Sequence, residues 1–516
     1  MHIVMVAAEN DALPGGKVGG LGDVIRDLPA ALAQAGQQVS VVTPGYGIFA
    51  ADQRGTRLAS LTVRFAGQRE TVVLYRVEAP KPVAGVIHLV LEHPLFSAQG
   101  AGRIYITDDN GPFATDAHRF ALFCAAVTQS IEQHHLGKPD LLHCHDWHTG
   151  LLLALRRFDP SLQLLKSIPA VYSIHNLSLQ GTRPFEGNDS SLLHWFPGIP
   201  FERDFIVDPR YTDCVNPMRA GITLAQRVHT VSPTYAREIL GSSHWEQGQV
   251  GGEGLEADLQ KVHKDGRLIG ILNGCDYSAA LPPRLEQPKL WLLIEKELDA
   301  LVERFGGNSS SHYYALKQLQ QLRRRRSASK PLLVSVGRLT AQKLWLLVQD
   351  HDSGSVMDEV LRRLHPGVFV MLGNGDSWYD RFFTRLMRQH SNFLYLCGYS
   401  EELAQALYGS GDLFVMPSIY EPCGISQMLA MRAGVPCLVH GVGGLNDTVQ
   451  HQVNGFSFSG ASLTEKTAKL LSTLDSALLM HHDKPAAWSK LCKAAKASRF
   501  DWHSAVQQYL TLLYRF

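Results

Sequence analysis

The eight cysteines are scattered from Cys124 to Cys492, and no two of them stand at C-x-x-C spacing. The pattern argues against a disulfide scaffold or a zinc knuckle and predicts a reduced, cytoplasmic protein. Net charge is almost absent: 49 Lys and Arg face 48 Asp and Glu, leaving +1. No global field therefore selects nucleic acid or an anionic membrane surface. The one basic run, Arg323–Arg326, reads as a solvated helix end. No apolar stretch has the length of a bilayer span. The opening "MHIVMVAAEN" has no basic n-region and reads as a buried strand, not a secretory leader. Solenoid periods and low-complexity tails are also missing. What remains is a chain of 516 residues, 45% hydrophobic and 19% charged. That is a soluble globular composition, too long for one core, so two or three domains are expected.

Short apolar runs alternate with helical patterns. "HIVMVAAE", a glycine-rich loop, "VIRDLPAALAQAG" and "QQVSVVTPGY" give strand, loop, helix and strand, a βαβ unit of a parallel sheet. "GVIHLVLE", "PDLLHCHD", "AVYSIHN" and "RVHTVSP" continue the scheme, and "KPLLVSVGR", "GVFVMLGNG", "FLYLCGYS", "GDLFVMPS" and "VPCLVHGVGG" repeat it. The hinge is placed near Leu268–Cys275, and the charged stretch Leu281–Lys330 reads as helices on the second domain. In such sheets ligands bind at the carboxyl ends of strands.

The polar residues gather at those ends. "GGKVGGLGDV", Gly15–Val24, has five glycines that admit a ligand close to the backbone, a helix N-terminus after Gly20, and the point charge of Lys17. A dinucleotide fingerprint would need an acid at the end of the second strand, which here reads "VVTPGYG". "LLHCHDWHTG" brings His143, His145, Asp146 and His148 together; both a metal site and polar groups lining a cleft are open readings. His175 and Asn176 end the next strand in the same manner. Arg338 and Lys343, just past a strand, suit a diphosphate: a guanidinium fork and a point charge. "GVGGLNDTV" sets Gly443 and Gly444 before a helix, a second anion-binding terminus. "YEPCGISQ" puts Glu421, Cys423 and Gly424 at a strand tip. Two cations, two glycine loops and a carboxylate are the parts that bind a sugar nucleotide without a metal.

Taken together, "KVGGLGDV", "HCHDWHTG", "SIHNLSLQG", "VHTVSPTYAREI", "GILNGCDY", "GRLTAQK", "MLGNGD", "YEPCGISQM" and "GGLNDTV" occur in an order that resembles the bacterial glycogen synthase and plant starch synthase family. The resemblance runs nearly end to end. It implies the α/β GT-B fold: two Rossmann-like domains facing a central cleft, with the closing helix "FDWHSAVQQY" crossing back to the first. The domains would be 1–268, with 500–516 packed on it, and 269–499, the first on the acceptor side and the second binding the nucleotide sugar. It implies a retaining transfer of α-glucose from ADP-glucose or UDP-glucose to the non-reducing end of an α-1,4-glucan, with no metal or other cofactor. By the same resemblance Glu421 holds the donor glucose hydroxyls, His175 lies near the anomeric centre, and Asp146 faces the sugar. Arg338 and Lys343 hold the diphosphate, and Lys17, Gly20 and Asn176 contact the donor. Tyr399 lies beside the adenine, the Cys423–Gly424 backbone lies against sugar and phosphate, and Gly443, Gly444 and Leu445 offer N–H groups to phosphate.

The chain departs from the family in three places. "QKLWLL" replaces the usual glycine after Lys343, "FSAQGAGRIYITDDNGPF" replaces a tyrosine-rich loop near position 100, and "AENDALPGG" lengthens the approach to Lys17. Two rival readings are another retaining GT-B enzyme that makes a small glucoside and a non-catalytic glucan- or nucleotide-binding relative. Many enzymes of the first kind carry a second glutamate eight residues after the first, where this chain has Leu429.

Overall fold

The computed structural model describes every residue except 51–54, 107–113, 279, 282–283, 306–309, 326–329 and 353. Arg326 of the basic run and residues 107–113 of the segment after Phe96 thus lie outside the described residues. The chain forms two compact units. One comprises Met1–Ser243, Gly251–Gly274 and Asp501–Phe516; the other comprises His244–Val250 and Cys275–Phe500.

The first unit is built on a nine-stranded sheet. Its middle strands, His2–Val6, Leu141–His145 and Ala170–Ile174, are all parallel and, apart from His2, buried along their length. Strands covered by helices on both faces must be apolar throughout, and "IVMV" is. Gln38–Pro44 and Val86–Glu92 extend the sheet to one side, Arg227–Thr230 and Leu268–Gly270 to the other. Because Leu268–Gly270 pairs with Arg227–Thr230, the chain stays in the first unit through Gly274, past the boundary expected after residue 268. The edge is an antiparallel hairpin, Gly55–Phe65 and Gln68–Val77, absent from the sequence reading. Its two-residue turn, Ala66–Gly67, has φ of 51° and 73°, the double positive φ that matches the twist of flanking strands.

The tail lies on this unit. Trp502, Val506, Tyr509 and Leu513 join a core with Ile3, Met5, Leu21, Val24 and Leu28. The helix Trp502–Gln508 and the turn Tyr509–Leu513 thereby cover one face of the sheet beside the helix Gly20–Gln34.

The second unit has six parallel strands in the spatial order Phe393–Cys397, Val368–Gly373, Leu332–Val336, Leu413–Met416, Cys437–His440, Phe456–Phe458. Helices Gln287–Phe305 and Ser310–Arg323 occupy the stretch read as helical. The order reverses between Leu332–Val336 and Leu413–Met416, and a crevice opens at the carboxyl ends of strands where such a reversal occurs.

Candidate active site

In the second unit Arg338 follows Leu332–Val336, and Glu421 follows Leu413–Met416, so both stand at the reversal. A small pocket there is lined by Gly337, Arg338, Lys343, Met416 and Pro417. Lys343 sits on the short helix Ala341–Leu344, and its ammonium is ion-paired with Glu421. Ser418 Oγ donates to the same carboxylate oxygen at 3.0 Å. The loop is anchored at both ends of this constellation. Ile419 N–H donates to Gln342 O at 2.9 Å, and His440 Nδ1 lies 2.9 Å from Ser418 O. Burial pushes the His440 imidazole down to about 4, so it stays neutral and acts as a strut. Leu346 and Leu347, part of the departure after Lys343, are buried in the core, which fixes the turn that carries the lysine. Glu421 is 5% exposed, whereas Arg338 is exposed and pairs with no carboxylate among the described residues. Tyr399 is surface-exposed, and its hydroxyl donates to Glu401.

The glycines of this unit have a different task from the one expected. Gly444 N–H donates to Glu421 O at 3.0 Å, and Leu445 N–H to Val442 O at 3.0 Å. The first donor is used on the Glu421 loop and the second within its own turn, so neither stands free for a phosphate. A Cβ on Gly443 would lie 1.9 Å from Glu421 O, and one on Gly444 would lie 2.2 Å from Cys423 O. The pair therefore lets one loop press against the backbone of the other. Gly424 has φ +76° and turns beside Gln427, whose Nε2 donates to Gly424 O at 2.8 Å. Gln427 Oε1 is buried without a partner among the described residues. Such an acceptor carries a desolvation cost that a ligand donor would relieve.

In the first unit the glycine-rich loop also differs from expectation. Its N–H groups already hold an anion from the chain itself. Glu9, 3% exposed, accepts from Val18 N–H at 2.8 Å, Gly19 N–H at 2.7 Å and Gly22 N–H at 3.2 Å. Its other oxygen accepts from Tyr105 Oη at 2.8 Å. Lys17 is salt-bridged to Asp23 at 2.6 Å, with Arg26 on the same carboxylate at 3.1 Å. Gly20 faces open space. Glu9, Tyr105, Asp23 and Ser418 were not singled out from sequence. Only Glu9 left a signal, an acid just past the tip of an otherwise apolar strand.

At the neighbouring strand tips Asp146 adopts φ +55°, a costly backbone for a residue with a side chain. Its carboxylate accepts from His175 N–H at 2.7 Å and so holds the turn that carries His175 and Asn176. Burial raises Asp146 to about 7 against that hydrogen bonding. Asn176 Oδ1 accepts from Ser178 N–H at 3.0 Å. His175 Nε2 lies 3.0 Å from His145 Nδ1, and burial takes His175 down to about 3, so both rings are neutral. The metal reading of His143–His148 disagrees with how these rings are used. Both nitrogens of His143 are hydrogen-bonded within the protein, and His148 stacks on Tyr105 at 5.1 Å. Among the described residues no group of three or more His, Cys, Asp or Glu is placed to hold a metal ion.

Comparison with known proteins decides the family. Residues 2–261 match the family model of the starch synthase catalytic domain, and residues 330–475 match that of glycosyl transferases group 1. A glycogen synthase of Streptococcus pneumoniae is 33% identical over 538 aligned positions, covering 99% of each chain. The chain belongs to the glycogen and starch synthase family. The catalytic domain of starch synthase IV from Arabidopsis thaliana, solved with ADP and acarbose, superposes with a TM-score of 0.73 at 28% identity over 99% of this chain and 98% of that one. A sucrose-phosphate synthase from Thermosynechococcus elongatus, 16% identical with a TM-score of 0.53, shares the fold. As a glycogen and starch synthase homologue the protein is a glycosyltransferase of GT-B fold. No described helix is long and apolar enough to cross a membrane.

Proposed function

We propose that this enzyme transfers α-glucose from ADP-glucose, with UDP-glucose as the competing donor, to the non-reducing end of an α-1,4-glucan with retention, in the cytoplasm and without a metal. The observation that carries the reading is the Lys343–Glu421 pair beside Arg338, which pairs with no carboxylate among the described residues, at the reversal of the second sheet. The solved starch synthase IV relative, bound to ADP and acarbose, supports it. An ammonium has three donors; one goes to Glu421, and the others are available to a phosphate. Arg338 adds a planar fork for the same diphosphate. Glu421, oriented by Lys343 and Ser418, accepts hydrogen bonds from the donor's hydroxyls. Tyr399 serves the adenine, the Cys423–Gly424 backbone the sugar and phosphate, and Lys17, Gly20 and Asn176 the donor. His175 serves the reacting carbon, with Asp146 setting its backbone rather than facing the sugar itself.

The carboxylate engaged by Lys343 and Ser418 is an acceptor of hydrogen bonds, not a free nucleophile. Retention is then best served by attack from the leaving-group side. The bond from the anomeric carbon to the phosphate oxygen breaks, and the acceptor's 4-oxygen bonds to that carbon. The departing phosphate oxygen takes the acceptor's proton. Charge stabilisation and positioning carry most of the rate.

The test is a donor screen with maltooligosaccharides in EDTA. Chains elongated by α-1,4-linked glucose, with ADP released, are expected. Transfer to a small acceptor only would favour the small-glucoside alternative, and binding without turnover would favour a non-catalytic relative. Loss of activity on chelation, restored by a divalent ion, would end the metal-free reading.

A further inference from the structure

Both nitrogens of His143 are bonded inside the first unit, one of them to the far end of the chain. Tyr514 Oη lies 2.8 Å from His143 Nδ1, and His143 Nε2 lies 2.6 Å from Ser173 Oγ. Ser173 Oγ lies 2.8 Å from His229 Nδ1, and His229 Nε2 lies 3.3 Å from Tyr509 Oη. With one proton on each imidazole, all four contacts form at once when the protons point the same way along the chain. His143, Ser173, His229, Tyr509 and Tyr514 are all 4% exposed or less. A fully satisfied buried network fixes geometry, because each broken link leaves an unpaired polar group in a dry interior. The network does not stop at His143. The His143 ring packs on His145 with centroids 4.1 Å apart, and His145 Nδ1 meets His175 Nε2. His145 Nε2 has no partner among the described residues, so His145 is held by that ring contact and by His175.

We infer that Tyr514, and to a lesser degree Tyr509, are positioning residues of the transferase reaction: they lock His143, which in turn sets the His145–His175 pair. This rests on the assignment of His175 to the reacting carbon. Through these two hydroxyls the tail serves the reaction, and its apolar side chains cover the sheet.

Tyr514→Phe removes only the hydroxyl. It should lower kcat on the order of 10-fold, with donor KM near wild type and a thermal midpoint lowered by the His143 nitrogen left without its partner. Tyr509→Phe, at the longer contact, should act in the same direction and less, and it replaces Tyr514→Phe should that variant not fold. Leu513→Ala is the counter-test. Leu513 is fully buried in the same tail, so its truncation should lower the thermal midpoint and leave kcat, measured well below that midpoint, unchanged. His175→Ala separates the two readings. A His175→Ala variant that turns over normally overturns the assignment of His175 and this inference with it. An inactive His175→Ala beside a Tyr514→Phe of wild-type kcat overturns the tail's role alone. A loss of kcat that tracks the loss of thermal stability across Tyr514→Phe and Leu513→Ala makes the tail merely structural and overturns it equally.

Discussion

Glu421 and Lys343 are each other's nearest opposite charge, and this coupling sets what single substitutions do. Glu421→Gln keeps the shape and loses the charge-assisted bonds to sugar hydroxyls. It should cost on the order of 10²-fold or more in kcat. ADP affinity should be unchanged, because ADP has no glucose; calorimetry beside a transfer assay checks both. Lys343→Met leaves a carboxylate, 5% exposed, without its partner. Breaking such a pair costs about 3 kcal/mol. The double variant Lys343→Met/Glu421→Gln should recover part of that stability and none of the activity, as denaturant melts and turnover would show. Cys423 is buried in the same loop, and the role proposed for it is steric. Cys423→Ser should therefore keep substantial turnover, and a folded but inactive serine variant would contradict this.

The two glycine loops look alike in sequence and behave differently as elements. In "GVGGLNDTV" the glycines allow backbone to meet backbone, so Gly444→Ala forces a Cβ to within 2.2 Å of Cys423 O. A rigid carbonyl cannot step aside as a side-chain tip can. The variant should lose about 2 kcal/mol or more and displace the Glu421 loop, lowering both the thermal midpoint and donor binding. In "GGKVGGLGDV" a Cβ on Gly20 meets nothing. Gly20→Ala opens the helix Gly20–Gln34 with a better helix former, so stability should hold or rise by up to about 1 kcal/mol. A rise in donor KM with an unchanged melt would then report a ligand that passes close to Gly20. No change in KM would remove Gly20 from the donor site.

At the scale of the molecule the buried imidazoles set the response to acid. His88, His143, His145, His148 and His229 are 8% exposed or less, and burial lowers all five. Their folded values lie below the unfolded value of about 6.5. Their stability is thus fully present above that pH and is lost as pH falls below it, because the unfolded chain takes up protons that the folded one excludes. Each costs up to about 1.4 kcal/mol per pH unit. Asp146, raised to about 7, acts in the opposite sense: its neutral form favours the folded state as pH falls from 7. Asp11, Asp27, Glu92 and Asp116, also raised by burial, act in the same sense as Asp146, but their ordinary values lie below this range, so the five imidazoles dominate it. These groups belong to the first unit, and the second holds one buried imidazole lowered in the same way, His440. The first unit's melting transition should therefore drop below that of the second unit between about pH 6.5 and 5, and calorimetric scans across that range would detect the separation.

Sequence by itself determined the parallel strands, the helical stretch after Leu281, the family and most of the polar residues at strand tips. Those properties are local or periodic: a strand buried on both faces must be apolar, and a loop that serves a ligand must carry its chemistry. The hairpin Gly55–Val77 was missed because its edge strands alternate weakly and its turn, Ala66–Gly67, is inconspicuous until its dihedrals are known. Tertiary structure alone decided which groups are already spent. Glu9 fills the N–H groups of the first loop, Gly444 donates to Glu421 O and Leu445 to Val442 O, and Asp146 holds the backbone of His175. It also decided that Tyr514 meets His143 across 371 residues of chain. Hydrogen-bond partners brought together by a sheet leave no periodicity behind, so their pairing is a property of the fold and not of any segment.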